Sequence, residues 1–115
     1  MPEAVIVATA RTLNFVAFKG SLNNLKPPGL PAHAIRHAVE CSGINPAKIG
    51  DVALGKVLTA GTAGINIARL SALAIKLPFS AAAQTIDRRC ASGLMVIGTA
   101  AAQITQCDMD ATGLL

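Results

Sequence analysis

Thr85-Ile-Asp-Arg-Arg-Cys90-Ala-Ser-Gly-Leu94 is the stretch in which the chain turns abruptly from an extended run into a helix. Before it, Ala82-Ala-Gln-Thr-Ile86 reads as an extended segment, although Ala and Gln are poor strand formers. After it, from Ala91 to about Gln106, Leu94, Ile97, Ala101 and Ile104 recur at helical spacing. Val96 and Ala100 add apolar surface on another side, and a helix apolar around most of its circumference is expected to be buried. A strand that feeds directly into a buried helix is the repeating step of an α/β fold.

Working outward, Ile65 to Ile75 predicts a helix with Ile67, Leu70, Ser71 and Ala74 on its inner side, ended by Leu77-Pro78. Val52-Ala-Leu-Gly-Lys-Val-Leu58 predicts a strand, followed by a loop over Ala60–Gly64. Pro31 suits the first turn of a helix whose inner stripe is Ala32, Ile35, Ala38 and Val39, with Ser42-Gly43 as its stop. Asn45-Pro46-Ala-Lys48 adds a short helical turn. Thr12–Leu30 gathers turn residues and predicts a long loop. Ala4-Val-Ile-Val-Ala-Thr-Ala10, apolar and β-branched, predicts a strand buried on both faces, as in a parallel or mixed sheet. The order β, loop, α, β, α, β, α favours crossover connections. Asp108–Leu115 is too short to complete another unit, so the chain is expected to stop where a further strand begins.

Composition narrows the function. Of 115 residues, 52% are hydrophobic and only 14% charged, which suits a packed α/β core and excludes a disordered tail. Aromatic residues make up 3%, too few for the stacking platforms of single-stranded nucleic-acid binders. The net charge of +4 comes from scattered Lys and Arg, with only Arg88 and Arg89 adjacent, so no nucleic-acid partner is expected. Charged residues interrupt every apolar run, and no membrane partner is expected. Glu3 comes early and the first apolar run ends at Arg11, so no secretory signal is expected and the cytoplasm is the expected compartment.

Three cysteines, Cys41, Cys90 and Cys107, make an odd count without CxxC spacing, which points to neither a disulfide framework nor a zinc site. His33 and His37 lie four apart with no acidic or cysteine companion suited to ligation, so no metal is expected. Cys90 alone has a chemically suggestive setting. It falls near the first turn of a helix, Ala91, Ser92 and Gly93 leave room for a substrate, and Arg88 and Arg89 are neighbours. Unpaired N–H groups at a helix start and nearby cations favour a thiolate, which could attack a carbonyl or thioester while backbone N–H groups stabilise the oxyanion. A lone cysteine in an apolar chain is more often a small buried hydrophobe, so from pattern alone both readings stand. Cys41 and Cys107, at helix ends, are expected to be structural.

The chain resembles the N-terminal part of the thiolase family, the acetyl-CoA acetyltransferases and 3-ketoacyl-CoA thiolases. Ala4–Thr12 is similar to the family's opening strand and Ala-Arg-Thr turn, and Phe18-Lys-Gly-Ser-Leu22 to the stretch that follows. Val52–Leu58 with Gly61 resembles its second strand and loop, and Asn66-Ile-Ala-Arg69 its Asn-Pro-Ala-Arg helix start. Thr85–Leu94 is close to its active-cysteine signature, the most specific match. The departures are Leu13 in place of Pro, one extra residue before Phe18, Asp87 where Asn is common, and Ile67 in place of Pro.

The resemblance implies the incomplete N-terminal half of a thiolase-like layered fold, residues 1–115, with a mixed sheet and a buried helix after the cysteine. It implies Claisen-type acyl transfer through an acyl thioester on Cys90, with coenzyme A thioesters as substrates and no cofactor. It also implies a homo-oligomer joined through the region around Cys90. The family's activating histidine, second cysteine and oxyanion-hole histidine fall outside the matched stretch, and His33, His37, Cys41 and Cys107 do not align with them. The 115-residue chain by itself is therefore expected to lack turnover; the alternative is a non-catalytic remnant or interaction module.

Overall fold

The computed structural model of the protein describes residues 2–14, 16, 18–107 and 109–114. Phe15 and Ala17, inside the expected loop, and Asp108 and Leu115, in the closing segment, lie outside the described residues. The elements are α1 (Gly29–Ser42), β1 (Ile49–Gly55), α2 (Ile67–Ala74), β2 (Ala82–Ile86), α3 (Ser92–Gln106) and β3 (Ala111–Leu114). Single 3-10 turns occupy Pro46–Lys48, Gly61–Ala63 and Arg89–Ala91.

Local chemistry explains the helix ends. Gly43 stops α1 in the left-handed conformation at φ 67°, as its position after Ser42 predicts. Asn66 caps α2 by accepting from the Arg69 N–H at 3.3 Å. At the other end of α2, Lys76 takes the left-handed position at φ 59°. There the Leu77 N–H donates to the Ala72 carbonyl and the Lys76 N–H to the Leu73 carbonyl, both at 3.0 Å. That pair of bonds closes the helix without a glycine. The Ser71 hydroxyl, fully buried, donates to the Ile67 carbonyl at 2.8 Å and lies 3.2 Å from the Pro28 carbonyl, tying α2 to the start of α1.

The sheet order is β2-β1-β3, and among the described residues both pairings are parallel. β1 is the central strand. Val52 and Leu54 join the apolar clusters formed with Ile35, Ala72, Ile67 and Ala68 of α1 and α2. Asp51 and Gly55, alternating with them, meet α3 on the opposite face. Helices therefore cover both faces, which a parallel sheet requires. No helix among the described residues is long and apolar enough to cross a membrane.

Four expectations change. Ala4–Ala10 forms no strand: it runs without ladder pairing, with Val5, Ile6 and Val7 exposed by 67%, 70% and 59%. Both edges of β1 are already taken, by β2 and by β3, so the run has no place beside the central strand. Residues 4–8 instead border an open apolar cavity of about 300 Å³, with Ile44, Ile49, Ile104 and Ala111 on its far side. Second, the closing segment does contain a strand, because four residues, Ala111–Leu114, suffice once β1 offers a parallel partner. Third, the central strand lies three residues earlier than expected and ends at Gly55, the partner of Ile86. Fourth, the inner stripes differ. α3 buries Ser92, Val96 and Ala100 while Leu94 and Ile97 are exposed. Likewise α2 buries Ile67, Ala68, Ser71 and Ala72 and leaves Leu70 and Ala74 outside. Small side chains face the sheet so that the helices can approach it closely.

One buried polar group joins three elements. Asp51 of β1 is buried, and its Oδ2 accepts from Gln84 Nε2 of β2 at 2.8 Å and from Gln103 Nε2 of α3 at 2.6 Å. Its Oδ1 accepts from the Val52 N–H at 2.8 Å. Gln103 must turn its N–H side to the carboxyl group, which leaves Oε1 buried without a partner among the described residues. Asp51→Ala deprives both amides of their acceptor and is expected to lower the unfolding free energy by about 2–3 kcal/mol. Asp51→Asn, which keeps one acceptor oxygen, should lose less. Urea unfolding followed by circular dichroism measures both, and an Ala variant as stable as the parent contradicts the role given to this network.

Candidate active site

Cys90 sits in the 3-10 turn Arg89–Ala91, between the end of β2 and the first residue of α3, and its side chain is exposed. The placement agrees with the strand-to-helix turn expected from Thr85–Leu94. The turn owes its shape to Arg89, whose φ of 52° is left-handed although the residue carries a Cβ. Such a conformation costs about 1–2 kcal/mol for a residue other than glycine, so something must hold it.

Two side chains do. Asp87 Oδ1 accepts from the Arg89 N–H at 3.0 Å. The Ser92 hydroxyl donates to the Arg89 carbonyl at 2.7 Å and accepts from the Arg88 N–H at 2.8 Å. The acceptor oxygen that the turn uses at Asp87 would be present in Asn as well. Ser92 spends its hydroxyl on the turn rather than on its own helix, and α3 has no side-chain cap.

The two arginines next to Cys90 each have a side-chain partner. Arg88 Nη1 lies 3.3 Å from Met95 Sδ, and Arg89 Nη1 lies 3.4 Å from Asp87 Oδ2. Each guanidinium thus has a partner other than the Cys90 sulfur. Among the described residues no hydrogen bond reaches the Cys90 sulfur. His33 and His37, on α1, stack edge to face at 4.5 Å, with His37 Nδ1 3.6 Å from Glu40 Oε2. Cys41 and Cys107 are exposed free thiols at the ends of α1 and α3. Among the described residues no group of three His, Cys, Asp or Glu side chains could hold a metal ion.

Several positioning contacts escape a sequence reading. Asn66 Nδ2 donates to the Ala83 carbonyl at 2.8 Å, and the Thr85 hydroxyl donates to Asn66 Oδ1 at 2.8 Å. Thr85 Oγ1 also accepts from the Ala68 N–H at 3.2 Å. Arg69 bonds the carbonyls of Ala81 and Phe79, just ahead of β2. The start of α2 therefore clamps the strand that delivers Cys90. The only signal in the sequence is the Asn66-Ile-Ala-Arg69 motif, which does not reveal its partner strand. Gly55 is the other missed residue. A Cβ there would stand 2.9 Å from the Ser92 carbonyl carbon and 3.1 Å from the Gly93 nitrogen. Because its neighbour is backbone, that contact cannot be relieved by a rotamer change.

A family model described as "Thiolase, N-terminal domain" matches residues 4–114. The acetyl-CoA acetyltransferase of Cupriavidus necator is 40% identical over 110 residues, 96% of this chain and 28% of that protein. The 3-ketoacyl-CoA thiolase 1, peroxisomal, of Arabidopsis thaliana is 33% identical over 102 residues, 89% of this chain and 23% of that protein. The crystal structure of the Bacillus anthracis acetyl-CoA acetyltransferase superposes with a TM-score of 0.88 at 32% identity, covering 97% of this chain and 28% of that one. The chain thus spans about a quarter of the length of the curated relatives it matches.

The close approach at Gly55 yields a direct test. Gly55→Ala is expected to push the first turn of α3 away from β1 and destabilise the chain by about 1–3 kcal/mol. Urea unfolding reads the change, and a variant of parental stability contradicts the seating of α3 on β1 described above.

Proposed function

The chain belongs to the thiolase family, and from that premise we propose that it is the nucleophile-bearing part of an enzyme moving acyl groups between coenzyme A thioesters. The Cys90 thiolate adds to a thioester carbonyl carbon. The tetrahedral intermediate then expels the coenzyme A thiolate, leaving the acyl group on Sγ as a new thioester. In synthesis, a base removes the α-proton of a second acyl-CoA. The resulting carbanion attacks the bound acyl carbonyl, and the Cys90 thiolate leaves as the 3-ketoacyl-CoA forms. In thiolysis, Cys90 attacks the 3-keto carbon, and the acyl-CoA carbanion departs and is protonated. Coenzyme A then takes the acyl group from Sγ. No cofactor enters either direction, because a thiolate serves as both nucleophile and leaving group.

The observation that carries this reading is the position of Cys90. It is exposed, in a held left-handed turn at the start of α3, and within the stretch that matches the family. The names of the relatives, acetyltransferase and thiolase, support the two directions of one reaction. No side chain among the described residues is hydrogen-bonded to the Cys90 sulfur. Grafting residues 4–114 into the Cupriavidus necator relative in place of its matching segment tests the proposal. The graft should carry out acetoacetyl-CoA thiolysis and lose it with Cys90→Ser, while the 115-residue chain alone should show none. A graft that stays active with Cys90→Ser refutes the nucleophile, and a folded graft inactive with Cys90 in place leaves the non-catalytic interaction module.

The same reading makes the protein a homo-oligomer joined near Cys90. Leu94, 76% exposed, with Met95 and Ile97 gives the outer side of α3 an apolar surface beside the turn. Leu94→Glu is expected to shift the chain from dimer to monomer in sedimentation velocity. A variant that sediments like the parent refutes the assignment of the interface to this face.

A further inference from the structure

Side chains hold Arg89 left-handed at three points, and the Ser92 hydroxyl supplies two of them. Its hydroxyl takes the N–H of the residue before Arg89 and gives its proton to the Arg89 carbonyl, while Asp87 takes the N–H of Arg89 itself. The Ser92 backbone N–H also donates to the Arg89 carbonyl. Ser92 is only 5% exposed and is seated against Gly55, where added side-chain atoms would collide with it. The hydroxyl is therefore fixed in place before it fixes the turn. A left-handed residue that carries a Cβ persists only where its surroundings hold it, and such residues gather at functional sites.

We propose that Ser92 is a positioning residue for Cys90: its hydroxyl locks Arg89 in the left-handed conformation and so sets the direction in which the Cys90 thiol leaves the turn. This rests on Cys90 being the nucleophile. Cys90 follows Arg89 directly, so a return of Arg89 to negative φ rotates the peptide plane ahead of Cys90 and re-aims its Cα–Cβ bond. Ser92 touches no substrate in this scheme. Its effect passes entirely through the backbone of Arg88 and Arg89.

The test is the rate of iodoacetamide alkylation at each cysteine of the full chain, read by peptide mass spectrometry alongside the urea unfolding midpoint. Cys41, Cys90 and Cys107 are all exposed, so the other two report general accessibility. In the parent, Cys90 should react fastest; equal rates at the three sites would remove the nucleophile reading itself, whatever Ser92 does. Ser92→Ala should slow Cys90 by roughly tenfold, the loss of left-handed population expected for an unclamped residue with a Cβ, and leave Cys41 and Cys107 unchanged. Ser92→Thr, which keeps the hydroxyl, should restore the rate. The double variant Arg89→Gly with Ser92→Ala should also restore it, because glycine holds positive φ without strain.

That second rescue separates positioning from packing, since a cavity at Ser92 is not repaired by a change at Arg89. A parental Cys90 rate in Ser92→Ala overturns the proposal, as does a loss that neither Ser92→Thr nor Arg89→Gly recovers. Should Ser92→Ala raise all three cysteines to one common rate, the mark of an unfolded chain, the decisive variant becomes Asp87→Ala. It opens the other side of the same turn from an exposed position and should slow Cys90 alone; an unchanged Cys90 rate there overturns the proposal.

Discussion

β1 is paired along both edges and covered on both faces, and each other element is placed by what that strand requires. A backbone so thoroughly removed from water must have its N–H and C=O groups satisfied within the sheet. β2 and β3 supply the partners, and Ala4–Ala8 lines a cavity instead. The helices answer the second demand. α1 and α2 close over Val52 and Leu54, and α3 closes over Asp51 and Gly55.

The two contacts of α3 with β1 differ in kind and are complementary. At one end Gly55 permits a backbone approach that any side chain would block. Toward the other end the Asp51 carboxyl group holds Gln103, so the helix is prevented from sliding along the sheet. A buried polar network of this sort adds modest net stability when satisfied but penalises every misplacement of its members. Meanwhile β2 is fastened to the start of α2, where Asn66 bonds Ala83 and Thr85 of the strand and Arg69 bonds Ala81 just ahead of it. The strand that enters the Cys90 turn and the helix that leaves it are thus anchored separately, and the strained residue lies between two fixed ends. Strain at Arg89 survives because its neighbours cannot relax independently.

Much of this was legible in the residues. Gly43 after Ser42 predicts the stop of α1, Asn66 stands at the head of α2, and Ala82–Ile86 reads as extended and is β2. The Cys90 turn follows from an extended run meeting a helical one. Periodicity ranks candidates by hydrophobicity and so points to Leu94, Ile97 and Leu70 over smaller residues on neighbouring faces. Closeness of approach decided otherwise, and Ser92, Val96, Ala100 and Ala68 face the sheet. Adjacency in sequence likewise does not reveal that the Arg88 and Arg89 side chains meet Met95 and Asp87.

By itself the sequence determined the types of α1, β1, α2, β2 and α3, the strand-to-helix turn at Cys90 and the family to which the chain belongs. These depend on local spacing, capping chemistry and motif order, all of which are written along a single dimension. Only the tertiary structure decided that Ala4–Ala10 stays outside the ladder, that Gly55 makes room for Ser92, and that the Ser92 hydroxyl holds the left-handed Arg89. Each of these depends on which edge, face or backbone atom is already occupied by a residue distant in the chain. That competition for partners has no signature in the local sequence.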